Sequence, residues 1–424
     1  MSFLLRARPA VAAPRRRNDV ELTPGPEMRF ISAGSYFSMA ISTHGQLVWW
    51  GGDPLGAQQM AQRLADDLVD NAAKRFERAA AKATSSLAAD QSPLKVWIPR
   101  TGRVVQVSAG GRHGVLLLDT GDVLTYGENG HGQLGNGDRL PIASPRAVNA
   151  LRAERVRCVA VAAGRMHTLA VDESGALLAW GFGKNGATGQ RSLEDALTPV
   201  KIELRGSTAG SANPGRVQTV ACSDHCLAVT ADGAVYAWGL GASGQLGFGD
   251  LLSHSKPRRV EALREVRAVG VSTGHSHSLV LSEAGAVFAF GRGTSGQLGR
   301  KVLESSALPV PVEMPPNQAA IAQVAAGGDH SLLLGVNGVV FTFGSGDFGV
   351  LGQGGTLPSP TPKKISAGLG IERVTAISAG FLHSIVVTVV RQTFTFGSNS
   401  SLQLGETLHA YSSVPRLVYG LLVG

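Results

Sequence analysis

An aromatic residue followed by glycine recurs seven times in one register, and that repetition leaves few architectures open. The aromatics are Trp50, Tyr126, Trp180, Trp238, Phe290, Phe343 and Phe396, and glycine follows each of them. Their successive spacings are 76, 54, 58, 52, 53 and 53 residues. Five positions upstream stands a second glycine (Gly45, Gly121, Gly175, Gly233, Gly285, Gly338), broken only by Arg391 in the last copy. The clearest unit, residues 109–137, reads AGGRHGVLLLDTGDVLTYGENGHGQLGNG. A period of about 50 residues excludes coiled coil and collagen and points to a propeller or solenoid. The 55 glycines among 424 residues, nearly twice the usual share of about 7%, are largely this repeat.

Each column has a physical reason. Short apolar runs such as Val115–Leu118 and Val235–Trp238 read as strands, and Asp232-Gly233 or Asn337-Gly338 between runs marks a tight hairpin. The aromatic closes the second strand, where a flat ring packs between neighbouring sheets. Pro145, Pro257, Pro309, Pro360 and Pro415 introduce a third stretch, and runs such as Val156–Val161, Val266–Val271 and Val374–Ile377 lead into the next copy. Four short strands per unit make a blade, and seven blades close a ring without exposed sheet edges around its axis. Closure then requires the last outer segment, Pro415–Val418, to find a partner near Met28–Ile31.

The AGxxH[ST]L block, the DG hairpin, the aromatic–glycine pair and GQLGxG (Gly132–Gly137, Gly244–Gly249, in part Gly296–Gly299) resemble the RCC1-type (regulator of chromosome condensation-like) repeat over residues 28–420. The resemblance implies an all-β, seven-bladed propeller used as a docking surface. In some members it is a guanine-nucleotide exchange factor for a small GTPase, and in others it binds chromatin or organellar RNA–protein machinery.

Several features imitate catalytic chemistry. GxGxxG occurs at Gly181-Gly183-Gly186, Gly239-Gly241-Gly244 and Gly291-Gly293-Gly296, always in one slot of the repeat and never opening a helix. Dinucleotide binding needs a strand–turn–helix unit, so these are loop glycines. Histidine recurs at His113, His167, His225, His277, His330 and His383, with Phe37 in the first copy. A catalytic set is asymmetric, whereas a residue that repeats with the fold holds the fold, so these are expected to bond backbone or neighbours between blades. Cys222, Asp224, His225 and Cys226 lack a second ligand pair at zinc spacing. Cys222 aligns with the repeat's glycine slot and Cys226 with its Ser/Thr slot. No catalytic, cofactor or metal site is expected, and no apolar run approaches the roughly 18 residues of a membrane-spanning helix.

Function is expected where the copies depart from one another. The first spacing exceeds the later period by about 23 residues. The excess lies in 57–92, where Met60, Leu64, Leu68, Ala72, Phe76 and Ala80 form an apolar stripe and Lys74, Arg75, Arg78 and Lys82 a basic side. The spacing predicts a helical insertion in the first blade. Residues 1–27 are a basic tail ahead of the propeller at 28–424. Of the net charge of +8, the tail's Arg6, Arg8, Arg15, Arg16 and Arg17 supply five, with no acid before Asp19. Arg-rich, acid-free and apolar at its front, the tail resembles a mitochondrial targeting segment; a basic arm on nucleic-acid phosphates is the other reading, which would leave the protein in nucleus or cytoplasm. Further basic clusters (Arg152, Arg155 and Arg157; Lys256, Arg258 and Arg259; Arg300 and Lys301; Lys363 and Lys364) recur on comparable loops and could line one rim, but a solvated rim is the commoner explanation because Glu154, Glu261 and Glu265 interleave with them.

These features together predict a non-enzymatic interaction scaffold that docks protein partners, and RNA through its basic tail and rim, within a mitochondrial ribosome or another RNA–protein assembly. Exchange on a small GTPase and chromatin binding are the alternatives. Exchange factors of the family extend a hairpin wedge from one blade, whereas the large insertion here reads as helical and lies in the first blade.

Overall fold

The computed structural model of the chain describes residues 30–42, 47–52, 94–96, 102–204, 215–370, 372–406 and 409–423. They form seven four-stranded antiparallel sheets, each built from four strands consecutive in sequence. In the first blade these are β1 (Ile31–Ala33), β2 (Phe37–Ile41), β3 (Leu47–Gly51) and β4 (Leu94–Val96); in the second, β5 (Val104–Ala109), β6 (His113–Leu118), β7 (Val123–Gly127) and β8 (Ile142–Ala147). The first strand of each blade touches the first strands on both sides, so these strands line the axis and the fourth strands form the outer edge. The architecture is the seven-bladed propeller expected. Among the described residues the one α-helix is α1 (Asn149–Ala153), in the connector after β8. The predicted helical insertion at 57–92 and the tail lie outside the described residues.

Seven hydrophobic clusters fill the seven clefts between adjacent blades, as in the group of Val115, Leu117, Val161 and Trp180 between blades two and three. The aromatic column therefore packs between sheets. Trp180 is fully buried and donates its indole N–H to the Gln133 carbonyl of the preceding blade at 2.9 Å; Trp238 and Trp50 do likewise to Ala187 (3.0 Å) and Gln403 (2.9 Å). Tyr126, Phe290, Phe343 and Phe396 occupy the same buried position.

The expected pairing with Met28–Ile31 falls partly outside the described residues, which begin at Phe30. Among the described residues the last outer strand, β28 (Tyr411–Leu422), pairs only with β27 (Gln392–Ser398) of its own blade. Its end reaches the first blade, where Ser42 and Val423 form a single bridge and Val418, Leu421 and Val423 pack with Ile31, Ala33 and Trp50. Among the described residues closure thus combines apolar burial, this one bridge and the hydrogen bonds of Trp50 to Gln403, His383 with Ser38 and Phe381 N–H to Gly34 O, with no exchanged strand.

Candidate functional site

The histidine column sets the first strand-to-strand joint in six of the seven blades. Each histidine opens the second strand, is buried, and meets through Nε2 the residue just after the next blade's histidine: His113 with Thr168 (3.0 Å), His225 with Ser278 (2.7 Å), His277 with Ser331 and His330 with Ser384 (both 2.9 Å), and His383 with Ser38 (2.8 Å). His167 meets the Cys226 thiol at 3.1 Å. Each hydroxyl gives its own proton to a loop carbonyl, as Ser278 does to Gln245 at 2.8 Å and Ser384 to Val350 at 2.9 Å. With that proton engaged, the hydroxyl accepts from histidine, which makes the ring a neutral Nε2–H tautomer. Burial is the main reason that His113, His225, His277 and His383 are pushed down to about 3 and His330 to about 4. Where the first copy carries Phe37, the facing residue is Gly114, and Phe37 packs with Tyr126 of the second blade in one apolar cluster. Hydrogen bond and hydroxyl are lost together.

The turns between first and second strands encircle the mouth of the axis, a space of about 90 Å³. Six joints there are backbone hydrogen bonds between neighbouring turns, such as Gly111 N–H to Gly164 O and Gly328 N–H to Gly380 O, both 3.2 Å. The fourth blade is the exception, and it corrects the alignment of Cys222. Cys222 pairs with Cys226 as Ala109 pairs with Gly114, so Cys222 holds the alanine position that ends the first strand. Its turn is one residue shorter, and the backbone donor for the next blade is missing. The Asp224 carboxylate occupies that joint instead, with Arg165 Nε of the third blade at 3.1 Å and His275 Nδ1 of the fifth at 3.4 Å. Burial raises the Asp224 carboxyl, but the His275 hydrogen bond and the Arg165 charge outweigh it and hold it below the usual carboxylate range. His275 packs edge-on against Phe381, ring centres 5.5 Å apart. The Cys–Asp–His–Cys cluster is thus a set of joints, and no group of three metal-ligating side chains occurs among the described residues.

The GxGxxG loops join the third and fourth strands. In the first of them a Cβ on Gly183 would strike the Glu194 carbonyl of its own loop, and one on Gly186, at φ +76°, would strike the Ser255 backbone of the next blade. The glycines are required by chain crossings, and the segment after them continues to an outer strand.

The basic clusters do not share one rim. Antiparallel order puts the first turns and the third-to-fourth-strand loops on one face, and the hairpins and blade connectors on the other. Arg300 and Lys301 lie on the first face, and Arg152, Arg155 and Arg157 on the second. There Arg152 forms a bidentate pair with Asp122 (2.9 and 3.1 Å) and Arg157 pairs with Glu173 (3.0 Å). The Arg152 hydrogen bonds are the first cause of a lowered Asp122 pKa. Lys256, Arg258, Arg259, Lys363 and Lys364 lie on outer strands, between the faces. Arg6, Arg8, Arg15, Arg16 and Arg17 and the insert's Lys74, Arg75, Arg78 and Lys82 fall outside the described residues.

Two surfaces emerge that the sequence reading passed over. The long loops of blades two to six each end in exposed leucine: Leu140, Leu193, Leu251 with Leu252, Leu303 and Leu357, from 51% exposed at Leu303 to 82% at Leu357. Their signal was an apolar residue 12 or 13 positions after the aromatic-column glycine, in loops otherwise glycine-rich and polar. The other is a groove of about 920 Å³ between the outer strands β12 (Ala196–Ile202) and β16 (His254–Arg259), where Arg191 and Lys201 join the cluster singled out at Lys256.

The comparisons with known proteins agree with this geometry. The model of the regulator of chromosome condensation (RCC1) repeat matches residues 120–171, 174–229, 232–281, 284–334 and 337–387. Each match starts beside one blade's hairpin and ends in the second strand of the next, so one sequence repeat spans two blades. The E3 ubiquitin-protein ligase HERC2 of Homo sapiens is 34% identical over 324 residues, which are 75% of this chain and 6% of that protein. The ultraviolet-B receptor UVR8 of Arabidopsis thaliana is 32% identical over 322 residues, 75% of this chain and 70% of the receptor. Among solved structures, human WBSCR16 shares the fold at a TM-score of 0.68 and 24% identity, over 78% of this chain and 85% of that one. Yeast RCC1 (Prp20), solved bound to Kap60, does so at 0.68 and 23%, over 78% of both chains.

Proposed function

This chain belongs to the regulator of chromosome condensation (RCC1) repeat family, and on that footing we propose that it is a non-catalytic docking platform within an RNA–protein assembly, the mitochondrial ribosome being the case its Arg-rich tail suggests. The exposed leucines at the loop ends of five successive blades carry the reading. Isolated exposed leucines are ordinary, but a repeated set on one face of a ring marks a protein-binding surface. The recurrent histidines favour the same reading, because they are buried and their Nε2 atoms are engaged in joints between blades.

Affinity purification of the full chain tests it. Recovery of ribosomal or other ribonucleoprotein subunits is expected, with loss of about tenfold or more when Leu140, Leu252 and Leu357 are replaced by serine, the folded state being unchanged. Recovery of one small GTPase, together with accelerated release of a labelled nucleotide, overturns the platform in favour of exchange. Recovery of histones alone does so in favour of chromatin.

A further inference from the structure

We propose that the groove between the outer strands of the third and fourth blades binds the phosphate backbone of double-stranded RNA. The inference rests on the RNA–protein reading above, but on a different surface from the leucine tips. Five cations line the groove, Arg191 and Lys201 from the third blade and Lys256, Arg258 and Arg259 from the fourth, against the carboxylates of Glu203 and Glu261. The Arg258 guanidinium lies over the Phe248 ring, 4.5 Å from its centre, with the His254 ring nitrogens 3.3 and 3.4 Å from Nη1. The Asp250 carboxylate stands 4.0 Å from the same Nη1 and also meets His254, so the planar donor fork is held in place at the groove and a phosphate would draw it from that carboxylate.

A solvated edge is the plainest account of such charge, since lysine and proline on an outer strand discourage edge-to-edge pairing. That account asks each outer strand for charge or proline and no more than one of them. β20 (Ser306–Pro311) meets it with Pro309 and Pro311 and no charge, whereas β16 carries three cations in addition to Pro257. The concentration at one cleft is therefore in excess of edge protection.

The chemistry of the walls selects the ligand. An extended peptide adding to either strand needs an unbroken ladder of backbone donors, and Pro199 in β12 and Pro257 in β16 each take one donor out of it. Among the described residues no Phe, Tyr or Trp face lines the groove, Phe248 lies beneath Arg258 and the His254 ring is engaged with Arg258, so splayed bases find no free aromatic face to stack on. What remains is recognition of phosphates by side-chain cations. A double helix offers phosphates outward with its bases paired away.

Fluorescence anisotropy of the full chain with a labelled RNA duplex of about 20 base pairs, across potassium chloride concentrations, is the test. Binding is expected to weaken with salt, with a logarithmic slope of up to about 4.5 for five phosphate contacts. Arg191→Gln/Lys201→Gln/Lys256→Gln should weaken binding by about tenfold or more and flatten the slope by about 2 to 3. The thermal transition reports that this variant is folded, and Lys201→Arg/Lys256→Arg should keep full affinity. Lys363→Gln/Lys364→Gln on β24 (Ser359–Lys364) is the control for charge elsewhere on the edge and should leave binding nearly unchanged. Absence of binding at low salt, or equal losses from both glutamine sets, overturns the groove. Equal or tighter binding of a DNA duplex overturns the assignment to RNA, and capture of a polyglutamate peptide without RNA overturns the nucleic-acid class. The serine variant of the leucine tips should bind RNA normally, so failure of the groove and failure of the platform are read separately.

Discussion

The inner joints and the outer edge of this ring are built from the same seven repeats under opposite constraints. Near the axis, one histidine–hydroxyl–carbonyl chain is copied from blade to blade, and a departure at one partner is matched at the other: Phe37 faces Gly114, and Cys226 stands in for the hydroxyl opposite His167. On the outer strands nothing compels such matching, and β16, β20 and β24 differ by three charges along one architecture. Buried polar groups must be satisfied within the fold, and exposed ones are satisfied by water. The difference locates stability inside and recognition outside, and each side can be tested against the other.

The largest effect should come from acid. His113, His225, His277 and His383 lie at about 3 in the native ring and His330 at about 4, against 6.5 when free. Below pH 6.5 the unfolded chain takes up protons that the native ring refuses, so stability is full above that value and falls as pH drops. Each histidine contributes a slope of about 1.4 kcal/mol per pH unit, and five approach about 7 kcal/mol per unit between pH 6 and 4. A chain of ordinary stability, roughly 5–15 kcal/mol, then unfolds near pH 5. Tryptophan fluorescence against pH measures the midpoint, and calorimetry the protons taken up. His277→Gln should remove about one proton from that uptake, whereas Lys363→Gln should not move it. A native ring at pH 4 would break the inner half of the comparison.

Asp224 should give the next effect, because it closes the one joint that the backbone leaves open. Asp224→Asn keeps the shape but removes the charge between Arg165 and His275, at an expected cost of about 2 kcal/mol in urea unfolding. The sign with pH sets it apart from the histidines. The Asp224 carboxyl titrates lower in the folded state than in the unfolded one, so its contribution is present above pH 4 and lost as pH falls through the lower folded value. Its penalty should hold steady from pH 8 to 5, where the histidine contributions are already declining. A penalty that disappears at pH 6 would assign the joint to other groups.

The architecture was legible in the sequence because hairpin glycines, apolar strands and blade-packing aromatics are local requirements that each copy must meet separately. The histidine column was legible as structural for the same reason, although its partner across the blade boundary was not, since that partner lies about 54 residues away. Cys222 was misaligned because counting back from His225 passes over the shortened turn; only strand register reveals the deletion. The leucine tips and the groove were harder to see. Exposure decides their meaning, and the groove unites Arg191 and Lys201 with residues one blade further on.

The smallest effect sharpens the comparison most. Arg391 replaces the hairpin glycine of the last copy yet keeps its left-handed backbone, φ +66° against +78° to +84° in the described glycines of that column. Arg191 likewise holds φ +68° where other copies have Gly137, Gly249 and Gly354 at +84° to +89°. A side chain in that region costs about 1–2 kcal/mol, of which glycine returns part through its freer unfolded chain. Arg391→Gly and Arg191→Gly should therefore each stabilise by about 0.5–1 kcal/mol, seen as a higher urea midpoint. Neither loses a backbone bond, since the amide of Arg391 still reaches Thr388 and that of Arg191 still reaches Ser255. The two should part in binding. Arg191→Gly removes a groove cation and is expected to weaken RNA, while Arg391→Gly leaves affinity unchanged. Equal affinity in both variants would mean that strain at Arg191 serves no ligand, and the outer edge would then be as purely structural as the joints within.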